Sequence, residues 1–185
     1  MLKTYNLIDK YKRFIITRSD FIYQLPHPQL DLLNPDFIWI PDGEHYGGFT
    51  DRHAILSQSN IETYLNIFNS MVIHSNKYFF NMLLFSNSYN IETLIKFHLI
   101  FHNKINLVRH FPYIMYAVRN HNGTTRWSKG EFSFIHNYYI KYSNEYYNSS
   151  HYKYLFHKSN LSITDFYKSL IYYSCYFTAG SIKSS

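Results

Sequence analysis

"FIWIPDGEHYGGFTDRHAIL", residues 37–56, is the stretch whose reading decides the fold. Four large apolar residues run into a proline, and a second apolar-rich run, RHAIL, follows a polar, glycine-bearing loop. An apolar run bounded by turn residues suits a strand. The spacing predicts a strand over FIWIP that Pro41 stops, a loop over DGEHYGGFTD and a second strand over RHAIL. One strand end then carries Asp42, Glu44, His45 and Tyr46, and the next strand begins with Asp51 and Arg52. Between them Gly47 and Gly48 allow a backbone to pass close to another group or to take a positive φ.

The stretch upstream, "RFIITRSDFIY" (residues 13–23), has the same form: an apolar strand, RFIIT, running into Arg18 and Asp20. The R-x-D alternation puts both side chains on one side of the pleat. In open α/β sheets ligands sit beyond the carboxyl ends of the strands. A carboxylate there can hold a divalent cation, and a guanidinium can hold a phosphate bidentately. Together these features fit a site for a metal-bound diphosphate. Each also has a plain alternative: Arg18–Asp20 as a surface pair, Asp42-Gly43 as a turn, Asp51–Arg52 as a loop-end pair.

Further out, the pattern is that of a mixed α/β domain. "TYNLIDKY" has the spacing of a short amphipathic helix, and "LPHPQLDLLNPD" is a proline-broken loop. Ser59 and Glu62 have capping-box spacing, which predicts a helix running to about Ser75. "NIETLIKFH" echoes "NIETYLNIF" and predicts a second helix from about Asn90. "INLVRHF" and "YIMYAVR" read as strands, and "YFFNMLLF" and "LIYYSCYFTAG" as core segments too short to span a membrane. No linker divides the chain, so residues 1–185 are expected to form one domain, with a Tyr-, Ser- and Asn-rich extension at the end.

Composition narrows the function classes. The 185 residues are 46% hydrophobic and 16% charged, enough to bury a core. The single cysteine, Cys175, excludes a disulfide framework and a thiolate zinc site and reads as a small buried hydrophobe. The formal charge of +6 suits an anionic partner without choosing one. Without a basic start followed by an apolar core, no leader is expected, and cytoplasmic residence is the default. The three N-x-[ST] triplets, at Asn122, Asn148 and Asn160, read as chance in so Asn-rich a chain. His98 and His102 have metal-capable i, i+4 spacing but lack a third ligand, so they read as packing or surface residues. His110 and His136 receive no assignment.

The block "YKRFIITRSDFIY…FIWIPDGEHYGGFTDRHAILSQSNIETYLNIF", with "NIETLIKFHL" to "VRNHNGTTRWSKG", resembles a group of GT-A-type glycosyltransferase-like proteins. These occur in large DNA viruses and in microbial polysaccharide-synthesis clusters. The resemblance covers roughly residues 5–142, and "DGEHYGGFTDRH" is its most specific part. It implies a partial GT-A-like mixed sheet flanked by helices, with the N-terminal nucleotide-binding units shortened or absent. It also implies transfer of a sugar from a nucleotide-sugar donor to a glycan or protein acceptor, assisted by Mn²⁺ or Mg²⁺. A second chain could supply the donor-binding half. If viral, the protein would reside in the host cytoplasm or the virion.

On that resemblance Asp20 carries the metal role, with Arg18 at the first position of the usual Asp-x-Asp. Arg18, Arg52 and Arg126 become the donor-phosphate cations. Asp51 or Asp42 becomes the general base for an acceptor hydroxyl. His45, Tyr46, Gly47, Gly48, Trp127 and Glu92 line the acceptor, although Glu92 in a first helical turn can equally serve the helix dipole. Arg119, Arg126 and Trp127 could form a clamp or a cation stacked on a ring that holds a loop. Two other readings stand beside the enzyme. One is an inactive remnant or partner subunit that binds glycan or protein; the other is a basic nucleic-acid-binding module, the weakest because the Tyr-rich tail lacks an interleaved basic stripe.

Overall fold

The computed structural model describes residues 2–85, 89–122 and 129–180, with side chains not described at 85 and from 172 onward. Arg126, Trp127 and the side chain of Cys175 therefore lie outside the described part. In chain order the elements are α1 (Leu7–Lys10), β1 (Arg13–Thr17), β2 (Phe21–Tyr23), β3 (Ile38–Asp42), β4 (His53–Ser57), α2 (Gln58–Leu65), α3 (Ile67–Ile73), α4 (Ser75–Phe85) and α5 (Ile91–Phe101). They continue with β5 (Val108–Pro112), β6 (Met115–Arg119), β7 (Glu131–Ser133), β8 (Tyr138–Ile140), α6 (Ser143–Ser159) and α7 (Ile163–Gly180). The chain is mixed α/β, with one mixed and one antiparallel sheet flanked by helices.

Contacts divide the chain into two compact units. The first comprises residues 1–17 and 33–110, the second residues 18–32 and 111–185. The first unit holds a four-stranded sheet in the order β1-β4-β3-β5. β4 pairs antiparallel with β1, Ile55 opposite Ile15, and with β3, Ile55 opposite Trp39. Its central place explains its sequence: all five residues of β4 are buried, and so are the first four of β3. Ile38, Ile40, Ala54 and Leu56 pack with Ile61 of α2 and Leu94, Ile95 and Leu99 of α5 into one core. Pro41 does not stop β3, which continues through it to Asp42. A proline removes one donor and is tolerated where that donor is not needed.

Helix boundaries depart from the sequence reading. α2 begins at Gln58 with Ser57 at its N-cap, and no side chain caps it. Ser59 instead meets the Ser57 hydroxyl at 2.9 Å, and Glu62 pairs with Lys3 at 3.0 Å. The predicted single helix to Ser75 is broken at Asn66 and His74, whose backbones leave the helical region. The capping box belongs to α5. Asn90 Oδ1 accepts from Thr93 N at 2.8 Å and Thr93 Oγ1 accepts from Asn90 N at 3.3 Å. The two NIET stretches thus differ: the second opens a helix, the first lies inside one. "YFFNMLLF" is a core segment only in part. Tyr78 and Met82, one turn apart, are buried, whereas Phe79, Phe80, Leu83 and Leu84 are exposed.

The second unit holds the antiparallel sheet β2-β6-β8-β7, including a β7–β8 hairpin that the sequence reading missed. β2 pairs with β6, Phe21 opposite Ala117, and β8 lies on the other side of β6. The described part of the Tyr-rich C-terminal stretch forms α6 and α7. α6 is fastened to β6 by Glu145, fully buried, whose carboxylate accepts from Ala117 N at 2.8 Å and from the Tyr113 hydroxyl at 2.9 Å. Asn160 closes α6 in a left-handed conformation, φ 54°, which asparagine tolerates. Among the described residues no helix is long and apolar enough to cross a membrane.

Candidate functional site

The loop between β3 and β4 is the polar focus of the first unit. Its backbone is turned back on itself: Glu44, Tyr46 and Gly47 have φ of 54°, 44° and 85°. Each non-glycine residue in that region costs about 1 kcal/mol. Several bonds offset this. Gly48 N donates to His45 O at 2.7 Å, the Tyr46 hydroxyl donates to the Glu44 carboxylate, and Asn90 Nδ2 donates to Tyr46 O at 3.0 Å. Burial and the Glu44 carboxylate push the Tyr46 phenol up to about 12, so it remains a donor.

Gly48 is explained by the protein's own backbone. A Cβ there would lie 1.8 Å from Glu92 O and 2.3 Å from Thr93 N, at the start of α5. Its neighbour Phe49 N donates to Glu92 O at 3.0 Å, and Lys96 Nζ lies 3.5 Å from Gly47 O. The loop is pinned to the first turn of α5, which brings Glu92 into its surroundings.

Arg52 is only 5% exposed, with NH1 3.5 Å from Glu44 and Nε 3.9 Å from Asp51. Its guanidinium lies 5.8 Å from the centre of the Tyr46 ring. This buried cation answers two carboxylates and holds the loop together. Glu92 is buried in the same neighbourhood. Burial pushes its carboxyl up, and Asp51 and Glu44 add to that while Arg52 opposes it. Asp42 goes the other way: the neighbouring His45 imidazole holds its carboxyl below the usual range. The two carboxyls are thus shifted in opposite directions, each by its own surroundings.

Asp42, His45 and His110 form a second group, with one ligand-capable atom from each within 4.8 Å of the others. His45 Nε2 is 3.5 Å from Asp42 Oδ1, and the two imidazole rings are 4.9 Å apart, centre to centre. β5 lies beside β3, which brings His110 to the end of β3. The sequence reading left His110 unassigned because strand order, not spacing, brings it there.

Arg18 and Asp20 lie in the second unit, at its first residues. Arg18 Nε and NH2 meet Asp20 Oδ1 and Oδ2, each at 2.7 Å, and Arg119 NH1 also binds Oδ2. The two guanidinium groups hold the Asp20 carboxyl down at about 2, Arg18 contributing most. Asp20 O also accepts from Val118 N at 2.9 Å, so the R-x-D ties the start of β2 to β6. Both carboxylate oxygens are engaged by cations, and as placed Asp20 does not fit Mn²⁺ or Mg²⁺, which need free oxygens.

The predicted site residues thus fall into three groups: Glu92, Asp51, Arg52, Tyr46, Gly47 and Gly48 around the loop; Asp42 and His45 with His110; and Arg18 and Asp20 with Arg119. Glu44, named at the strand end without a role, pairs with both Arg52 and Tyr46, and Arg119, read as part of a clamp with Arg126 and Trp127, completes the Asp20 cluster. His98, by contrast, is buried between the Tyr78 hydroxyl at 2.7 Å and Thr63 O at 2.5 Å. Comparison with protein-family models, curated proteins and solved structures finds no match to this chain.

Proposed function

We propose that the chain is a glycosyltransferase-like protein that moves a sugar from a nucleotide-sugar donor to a hydroxyl of a glycan or protein, with acceptor activation at the β3–β4 loop. The observation that carries this reading is Glu92. It is a buried carboxyl with raised proton affinity, held under a loop that bears Glu44, Tyr46, Asp51 and Arg52. A carboxylate of raised proton affinity is the better general base. It would take the proton of the acceptor hydroxyl as that oxygen bonds to the anomeric carbon and the bond to the nucleoside diphosphate breaks. Asp42, with lowered proton affinity, is the weaker base of the two. The block DGEHYGGFTDR that bears the family resemblance is the same loop, which adds support.

The test is release of nucleoside diphosphate from a panel of nucleotide-sugars by the wild type and by Glu92→Gln. Glu92→Gln is expected to lower kcat at least ~100-fold while melting within a few degrees of the wild type. Wild-type turnover that survives in Glu92→Gln refutes the assignment. A second reading, a glycan- or protein-binding subunit without catalysis, is favoured by the pairing of Arg52 and Asp20 with partners inside the protein. Saturable sugar-nucleotide or glycan binding with no turnover in any donor would select it.

A further inference from the structure

The geometry points to a divalent-metal site of the zinc class at Asp42, His45 and His110, holding the ion through two imidazole nitrogens and one carboxylate oxygen. This inference is independent of the transferase reading and differs from the Mn²⁺ or Mg²⁺ expected at Asp20.

Two observations carry it. The first is position. The ligand-capable atoms lie within 4.8 Å of one another at the end of β3, contributed by a strand end, a turned-back loop and the neighbouring strand β5. The second is distance. His45 Nε2 and Asp42 Oδ1 are 3.5 Å apart, long for a hydrogen bond. Two ligands at about 2.1 Å from one tetrahedral ion stand about 3.4 Å apart, so the separation matches, with the ion taking the place of Gly43 N, which donates to the same His45 nitrogen at 3.3 Å.

The donor set selects the ion. Imidazole suits zinc, cobalt and nickel, whereas magnesium and calcium prefer all-oxygen sets. Three protein ligands leave one tetrahedral position for water or a substrate oxygen, as in catalytic rather than structural zinc sites.

The test uses the full chain, stripped with a chelator, titrated calorimetrically with Zn²⁺ and with Mg²⁺, and with Co²⁺ followed by visible absorption. Expected are one Zn²⁺ per chain, no comparable binding of Mg²⁺, and a Co²⁺ spectrum of four-coordinate intensity. Asp42→Asn and His110→Gln are each expected to weaken Zn²⁺ at least ~30-fold. His136→Gln, in the second unit, serves as the control for adventitious histidine binding and should change nothing. Should His110→Gln unfold, Asp42→Asn, which changes a single atom type at an exposed strand end, decides alone. Zn²⁺ binding that is absent, or equal in wild type and Asp42→Asn, overturns the inference.

Discussion

Replacing Gly48 with alanine tests the architecture of the loop most directly. The added methyl would lie 1.8 Å from Glu92 O, 2.0 Å from Glu92 C and 2.3 Å from Thr93 N, all backbone atoms. None can swing aside as a side chain would. Glu92 O is held by Phe49 N, and Thr93 N by the Asn90 side chain. Relief therefore requires the loop to lift off α5. Overpacking of this kind costs about 1–3 kcal/mol. The bond from Phe49 N to Glu92 O adds about 1 kcal/mol if it is lost. The sum, about 2–4 kcal/mol, corresponds to a fall in Tm of roughly 5–15 °C for a chain of this length. Differential scanning fluorimetry and urea denaturation at neutral pH measure it. Gly47→Ala is opposed by its φ of 85° and should cost about 1 kcal/mol. A Gly48→Ala protein that melts within ~2 °C of the wild type, or above Gly47→Ala, would refute the close approach and with it the placing of Glu92.

Two further outcomes follow from other parts of the molecule. The Asp20 carboxyl titrates near 2 in the folded chain against 3.8 ordinarily, so its pairing stabilises the protein above the ordinary value and is lost as pH falls from about 4 toward 2. Asp20→Asn should therefore be less stable than wild type by about 1–2 kcal/mol at pH 7, discounted for partial solvent screening, with the gap closing near pH 2; a gap independent of pH sinks the argument. Asn90→Ala, which removes the cap of α5 and the bond to Tyr46 O, should cost about 1 kcal/mol, while Ser59→Ala should stay within ~0.5 kcal/mol; paired thermal melts decide, and the reverse order would restore the capping box to Ser59.

What was legible in the sequence was local. The apolar runs FIWI and HAIL gave strands because burial on both faces leaves no alternation to misread; RFIIT gave the edge strand, where Ile15 stays exposed, and α5 announced itself through Asn90. What was not legible depends on partners distant in sequence. Ser59 and Glu62 have the spacing of a capping box, yet the chain enters the helix two residues earlier, directly from β4, and Ser59 is already inside. The glycine pair reads as room for a ligand, whereas Gly48 makes room for α5. Arg18 and Asp20 read as a metal and phosphate site because nothing in their own segment reveals Arg119. The same holds for His110, whose role follows from β5 lying beside β3.

Each unit is assembled from two separated stretches of chain, and this has a consequence for synthesis. The first unit is complete once residue 110 has emerged. β2 of the second unit emerges early but pairs with β6, and Asp20 waits for Arg119, 99 residues later. At about 5–20 residues per second, that is a delay of roughly 5–20 s in which Phe-Ile-Tyr has no strand to pair with. An apolar segment left unpaired for so long invites association with neighbouring chains. The two charges just ahead of it, Arg18 and Asp20, are placed as gatekeepers: they keep the waiting segment soluble and later become the clasp that closes it.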